Sequence, residues 1–195
     1  MADTTTRPNV REQILDTALQ LMSEHGAAGM SMRRLANACG VQVAAIYHYF
    51  DSKDALVAAV VAERQYGSRL AEALPVDPDA PLAVRTEQLF MAVWEGALDE
   101  ESIWRVLLGE GLRGEAAVLP VGRSLLELLE PAFADWVRRW LPEIDHPDEV
   151  GQLMVAQLLG GFVRHTFQPE LDTATIGADA AATLAAVIGK ARRPS

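Results

Sequence analysis

Residues 31–56 read SMRRLANACGVQVAAIYHYFDSKDAL, and this stretch decides the fold. Ser31 is placed to cap a short helix that carries apolar residues on one side. Gly40 ends that helix, and a second short helix with Ile46 and Phe50 follows. Two short helices separated by a tight glycine turn are the pattern of a helix-turn-helix.

Longer helices are expected on both sides of this pair. Residues 10–25 place apolar side chains at the helical period, and Gly26 ends that segment. Ser52 is placed to cap a longer helix that runs to about Leu74. The front of the chain is therefore predicted to be a three- or four-helix unit around the helix-turn-helix.

The second short helix has distinct inner and outer faces. If Ile46 points inward, then Phe50 and Gln42 lie within about 40° of it at 100° per residue. Ala44 and His48 then point in nearly the opposite direction. Because the outer face is small at its N-terminal end, the helix backbone can approach base edges closely.

Composition excludes several classes of protein. The chain has 195 residues, of which 50% are hydrophobic and 23% charged, so it is globular rather than disordered. Its single cysteine, Cys39, excludes an intramolecular disulfide and any zinc site with two thiolates. No hydrolase, zinc-protease or phosphate-loop motif is found, so no catalytic residue, metal or cofactor is expected. With no apolar run of eighteen residues and no signal-peptide pattern, we expect a cytoplasmic protein without a membrane partner.

The net charge of −10 argues, taken alone, against a nucleic-acid partner. The distribution matters more than the total. Residues 1–65 hold six Lys and Arg against seven Asp and Glu, whereas residues 66–195 hold eleven against twenty. A nearly neutral unit at the front can still meet DNA through a few well-placed cations.

The front of the chain resembles the TetR family of bacterial transcriptional regulators. The matching residues are 11–61, and the block IYHYFDSKDAL is close to that family's hallmark at the end of the recognition helix. The resemblance implies an all-α chain of about nine helices, in which a helix-turn-helix unit precedes a larger helical ligand-binding and dimerisation bundle. We expect a flexible arm over residues 1–9, the DNA-binding domain over 10–55, and the helical bundle over 56–195.

The resemblance also implies roles for individual residues. Tyr47 and Lys53 match residues that meet phosphate, and Arg33 sits where some members place an arginine on a guanine. The reading surface has few hydrogen-bonding groups, so specificity is expected to rest on Arg33, thymine contacts and DNA shape. The alternatives are that Tyr47 caps the small core and that the arginines and Lys53 are ordinary solvated residues. The predicted DNA-binding residues are Arg33, Arg34, Gln42, Val43, Ala44, Ala45, Tyr47, His48 and Lys53.

The remaining two-thirds of the chain reads as further helices after a proline-rich boundary at residues 75–81. Helices are predicted over 82–98, 101–108, 120–141, 147–167 and 173–191. The family resemblance implies a small-molecule effector, which aromatic side chains commonly line. Core packing is the alternative for each candidate. The candidates are Trp94, Trp104, Leu108, Phe133 and His165.

The last two predicted helices are apolar on too many sides for surface helices. Facing their symmetry mates, they would form a four-helix dimer interface, whereas the alternative is burial within one subunit. The predicted interface residues are Ala156, Leu159, Gly160, Phe162, Val163, Leu184 and Ile188.

The hypothesis is a homodimeric, ligand-responsive regulator, most simply a repressor that binds a palindromic double-stranded DNA operator. One alternative is a helical small-molecule binding protein or enzyme with a non-functional helix-turn-helix, which the charge of −10 favours. Another is an activator without a small ligand. Operator binding by the purified dimer separates the first two.

Overall fold

The computed structural model describes residues 9–63 and 74–190, and the regular elements in these ranges are all helices. This confirms the all-α prediction. The nine helices of the described ranges are α1 (Val10–Gly29), α2 (Met32–Cys39), α3 (Val43–Tyr49), α4 (Lys53–Glu63), α5 (Leu82–Asp99), α6 (Glu101–Leu112), α7 (Leu119–Trp140), α8 (Pro147–Phe167) and α9 (Thr173–Lys190).

The start and stop signals of the helix-turn-helix are confirmed. The Ser31 hydroxyl accepts a hydrogen bond from the Arg34 amide at 3.1 Å at the start of α2. Gly40 ends α2 in the left-handed conformation, with φ of 68°. The Ser52 hydroxyl accepts from the Ala55 amide at 3.0 Å and caps α4. These caps fix where each short helix begins and ends.

Three boundaries differ from the prediction. Helix α1 continues one turn past the expected end, although its backbone leaves helical geometry at Gly26. Helix α6 continues to Leu112 instead of ending at residue 108. Leu74, the predicted end of the helix that Ser52 caps, is not helical, and residues 64–73 lie outside the described residues. Residues 1–8 of the predicted arm at 1–9 and the predicted end of the last helix at residue 191 also lie outside them, while Asn9 is the N-cap of α1.

The described residues form two compact units. The first contains α1–α4 together with residues 100–124, so α6 belongs to the same unit as the helix-turn-helix. Helices α2, α3, α4 and α6 all pack against α1. The core of this unit includes Ile14, Leu35, Ile46 and Leu56, all fully buried. The predicted domain boundary between residues 55 and 56 stays a prediction.

The second unit contains α5, α8, α9 and α7 from residue 125 onward. Helix α9 packs against both α5 and α8. Buried Arg85 at the start of α5 donates to the Trp140 carbonyl at 2.6 Å and pairs with Glu143, which ties α5 to the end of α7. In the ranges that the structure describes, none of the helices is both long and apolar enough to span a membrane.

Candidate nucleic-acid interface

Helix α3 presents an outer face that is small at its N-terminal end. Ile46 and Phe50 are buried in the unit, as predicted, while Ala44 and His48 are exposed and Tyr47 is 47% exposed. Val43 and Ala45 are half-buried at the flanks. Gln42 is exposed instead of pointing inward with Ile46, because it precedes the first helical turn and has extended backbone angles. It therefore lies at the tip of the outer face.

The two arginines at the start of α2 are exposed but not equivalent. Nη2 of Arg34 lies 2.6 Å from Nε2 of His25, so this guanidinium is held against the end of α1. The side chain of Arg33 makes no hydrogen bond or ion pair with any residue of the described ranges. Of the two, Arg33 is the one whose guanidinium donors are open to a base edge.

Lys53 is the first residue of α4 and is half-buried. It lies beside the Ser52 cap, close enough to Glu110 for its charge to act on that carboxylate. A phosphate contact for Lys53 stays a prediction.

A contact that sequence reasoning missed joins α1, α4 and the end of α3. The Arg11 guanidinium makes two hydrogen bonds, 2.6 and 2.5 Å long, to the Glu63 carboxylate. Its carbon Cζ also lies 5.3 Å from the centroid of the Phe50 ring. Arg11 therefore fastens α1 to α4 over the end of α3. No local signal marks this pair, since the partners are 52 residues apart.

A second missed residue is Glu110 of α6, which is only 1% exposed. Its carboxylate accepts from the Ala27 amide at 2.6 Å and from Nη2 of Arg113 at 2.7 Å. Burial alone would raise the pKa of Glu110, but the hydrogen bonds from Arg113 and Ala27 and the charges of Arg113 and Lys53 outweigh it. The pKa of Glu110 is therefore below its ordinary value, and the group is a buried carboxylate at neutral pH.

The effector candidates are distributed over both units. Trp94, Phe133 and His165 belong to the second unit, and Trp104 and Leu108 belong to the first. The two tryptophans and Phe133 are buried, while Leu108 and His165 are half-buried. Trp94 is held firmly, because its Nε1 donates to the Thr173 carbonyl at 2.8 Å and its ring lies 5.3 Å from that of Phe162. A ligand-binding role for these five residues stays a prediction.

The candidates for the dimer interface divide into two groups. Phe162, Leu184 and Ile188 are buried within the chain itself. On the outer side, Ala156 and Gly160 are exposed, Val163 is 52% exposed and Leu159 is half-buried. Of the outer group, Gly160 lines a groove of about 640 Å³ between α8 and α9. A partner chain on this groove stays a prediction.

Comparison with known proteins finds a family match at the front of the chain. The model for bacterial regulatory proteins of the tetR family matches residues 14–60, which contain α1 from Ile14, both helices of the helix-turn-helix and most of α4. This part of the chain is therefore similar to TetR-family regulators. The residues that carried the resemblance in the sequence are therefore those that build the exposed α2–α3 surface.

The chain is also similar to a curated transcriptional repressor and to solved structures of transcriptional regulators. The transcriptional repressor AcnR of Corynebacterium efficiens is 39% identical over 64 residues, which are 33% of this chain and 33% of the relative. The match thus spans only about a third of that relative's length. A transcriptional regulator from Rhodococcus sp. Rha1 has the same fold, with a TM-score of 0.74 at 17% identity over 96% of this chain and all of the other. The regulator FadR of Bacillus subtilis, solved with stearoyl-CoA, gives a TM-score of 0.66 at 15% identity over 89% of this chain and 96% of its own.

Proposed function

We propose that this protein is a TetR-family regulator, a homodimeric repressor that binds a palindromic operator and is released by a small, mainly apolar effector. The DNA-binding part of the proposed function rests on a single observation, the surface that α2 and α3 form. It combines a small outer face on α3 with an open arginine at the start of α2. Tyr47 and Lys53 provide groups for phosphates on neighbouring elements.

The chemistry of this surface suits direct readout with few base contacts. Arg33 has donors for a guanine edge, and Gln42 can hydrogen-bond an adenine. Ala44 and Ala45 offer only methyl groups, which suit contact with thymine methyls. Backbone contacts from Tyr47 and Lys53 fix the register of the helix in the groove and carry no sequence information.

A dimer is proposed because one recognition helix reads only one half-site. Two-fold helix-turn-helix proteins place their recognition helices about 34–36 Å apart, one turn of DNA. The groove between α8 and α9 supports a helical partner, since Gly160 leaves open space where a side chain would otherwise stand. Val163 and Val187 are about half exposed, with Val187 at 48%, and would be covered by the partner.

Release by an effector is proposed from the family and from the aromatic candidates. The neighbour FadR of Bacillus subtilis was solved with stearoyl-CoA, a ligand with a long apolar chain. In this chain the candidates Trp94, Trp104 and Phe133 are aromatic and uncharged. An effector that lowers operator affinity must bind the DNA-incompatible arrangement of the dimer more tightly than the compatible one.

The function is tested by selecting duplexes from a randomised library with the purified full chain. We expect enrichment of an inverted repeat whose half-sites are about one helical turn apart. Enrichment of no sequence would contradict the proposal, and enrichment of a single unrepeated site would contradict its dimeric part.

Variants then separate base contacts from phosphate contacts. Arg33→Ala should relax the choice at one base pair and cost about 1–3 kcal/mol of discrimination. Lys53→Ala and Tyr47→Phe should weaken binding to all sequences alike, and the lysine variant should lower the salt slope by about one unit. Arg105→Ala is the matched control for Arg33→Ala, because Arg105 is an arginine outside α2 and α3 that pairs with Glu101 of its own helix. Equal effects of the two arginine variants on the base choice would remove Arg33 from its assigned role.

A further inference from the structure

Helix α6 lies outside the residues that match the TetR family model, yet it contacts the DNA-binding helices directly. It packs against α1 and α4 within one compact unit. Its buried residue Glu110 enters the break in α1, where its Oε1 accepts from the Ala27 amide at 2.6 Å. We call the group formed by four residues the α1–α6 joint: Gly26, Ala27, Glu110 and Arg113.

The joint is built around a backbone irregularity. Gly26 has φ of 70° and ψ of 163°, so the chain leaves helical geometry there and re-enters it for one last turn. The Ala27 amide at the start of that turn is bonded by a carboxylate from another helix. Hydrogen bonds from an amide to an ionised acceptor are stronger than those to a neutral one. The position of the last turn of α1 is therefore set by Glu110.

The joint is also closely packed. A Cβ atom at Gly26 would lie 2.9 Å from Nη2 of Arg113 and 3.2 Å from Oε1 of Glu110. Arg113 in turn holds the carboxylate through its Nη2 at 2.7 Å. Glycine is needed at this position both for its positive φ and for the close approach of the two side chains.

The turn that the joint fixes leads directly into α2. The Met30 amide bonds the Ala27 carbonyl at 3.2 Å, and Ser31 follows as the cap of α2. A second link crosses the same break, because His25 before it contacts Arg34 in α2. The orientation of the first turn of α2, which carries Arg33, therefore depends on the last turn of α1.

We propose that Glu110 is a positioning residue for DNA recognition. It holds the Ala27 amide and so orients the start of α2, which brings Arg33 to the base edge. This inference rests on the DNA-binding function proposed above. It assigns a role in operator discrimination to a residue of α6, which itself contributes nothing to the reading surface.

The test measures affinity for two probes: the duplex selected from the randomised library and a shuffled duplex of equal length and composition. Both are measured at a temperature at which circular dichroism shows every variant to be folded. Glu110→Ala should lose about tenfold or more in affinity for the selected duplex and about twofold or less for the shuffled one. Glu110→Gln keeps an oxygen that accepts from the Ala27 amide, so it should stay within about threefold of the wild type for both probes.

Two glycine variants add an independent test and a control. Gly26→Ala strains the positive φ and presses on Arg113, so it should also lower the ratio of selected to shuffled affinity. Gly111→Ala adds the same methyl group on α6 where nothing lies within 4 Å, so it should leave the ratio unchanged.

The outcomes separate positioning from mere stabilisation. A lower melting temperature with an unchanged affinity ratio in Glu110→Ala would overturn the proposal, as would a Glu110→Gln variant as poor as the alanine. If Glu110→Ala does not fold, Gly26→Ala decides. An unchanged ratio of selected to shuffled affinity in Gly26→Ala overturns the proposal, and a lowered ratio supports it. If the wild-type chain binds both probes equally, the proposed DNA-binding function itself is overturned. If the wild type prefers the selected duplex and its variants prefer it just as strongly, only the positioning role of Glu110 is overturned.

Discussion

The close fit of Trp94 between two helices predicts opposite effects for neighbouring glycines. Gly160 and Gly161 are adjacent in α8. A methyl group at Gly161 would lie 2.7 Å from Cζ3 of Trp94, whereas nothing lies within 4 Å at Gly160. At Gly177 in α9 the methyl group would overlap Cδ1 of the same ring and lie 2.7 Å from its Nε1. Alanine at these positions therefore tests whether there is free space around Trp94.

The expected change in the free energy of unfolding for each variant follows from two opposing contributions. Replacing glycine by alanine inside a helix stabilises by roughly 0.5–1 kcal/mol, and Gly160→Ala should show this gain. Overpacking a filled core costs about 1–3 kcal/mol, so Gly161→Ala should be destabilised by roughly 2 kcal/mol or less. Gly177→Ala should be destabilised by about 2 kcal/mol net, near the upper end of this range. The reason is that the hydrogen bond from Trp94 to the Thr173 carbonyl prevents the ring from moving away.

The assay is thermal unfolding of the full chain followed by far-ultraviolet circular dichroism. One kcal/mol corresponds to about 2–4 °C for a chain of this length. Where no partner chain covers it, Gly160→Ala should therefore gain about 1–4 °C, and Gly177→Ala should lose about 4–8 °C. Gly189→Ala is the matched control in α9, since nothing lies within 4 Å of it and Gly160 is a predicted interface residue. Equal protein concentrations are needed because the melting temperature of a dimer depends on concentration.

The result that refutes the reasoning is a Gly177→Ala variant as stable as Gly189→Ala. The ring would then have room to move, and Trp94 would be a better candidate for lining an effector site than for filling the core. The predicted destabilisation would instead establish that Trp94 is wedged between α8 and α9. An effector contacting it would then have to displace a packed ring.

Three further predictions concern assembly, effector response and acid. Gly160→Glu should give monomers in sedimentation, because a charge in an apolar contact is left unpaired; a folded dimer would place the interface elsewhere. Trp94→Leu and Trp104→Leu should each blunt release from the operator by effector while leaving operator affinity without effector nearly intact; a normal response in both removes them from the candidate site. Since the pKa of Glu110 is lowered from 4.5, its stabilising contribution is present above about pH 4.5 and lost as the pH falls through the lowered value. Glu110→Gln should therefore be less stable than the wild type at neutral pH, and the gap should narrow in denaturant titrations below pH 4.5.

The helix-turn-helix could be predicted from sequence because its signals act over a few residues. Ser31 and Ser52 each accept from an amide three positions ahead, and Gly40 closes its turn with neighbouring carbonyls. Such caps depend on residue type at fixed spacing and on little else. Once Ile46 was taken as inward, helical periodicity placed Phe50 beside it correctly, but it misplaced Gln42, which precedes the helix.

The contacts that support the reading surface could not be predicted in this way. Glu110 bonds an amide 83 residues away, and Arg11 pairs with a residue 52 positions away. The glycines at 109 and 111 also suggested that α6 ends at residue 108, because glycine disfavours a helix interior. Burial of Glu110 against α1 outweighs that preference and carries the helix on to Leu112. The periodic signal was nevertheless present, since Ile103, Leu107 and Glu110 share one helical face.

The net charge of −10 illustrates how a whole-chain quantity can mislead about a local surface. Residues 31–50, which form α2, its turn and α3, contain Arg33 and Arg34 and no aspartate or glutamate. Charges separated by more than about 8 Å are largely screened at physiological salt, so a phosphate at this surface responds mainly to its nearest neighbours. The acidic residues of the rest of the chain then act chiefly on long-range steering and on solubility. The net charge of −10 is therefore compatible with a DNA-binding surface. It predicts a slow, salt-sensitive rate of association with DNA and has less effect on recognition of the base sequence.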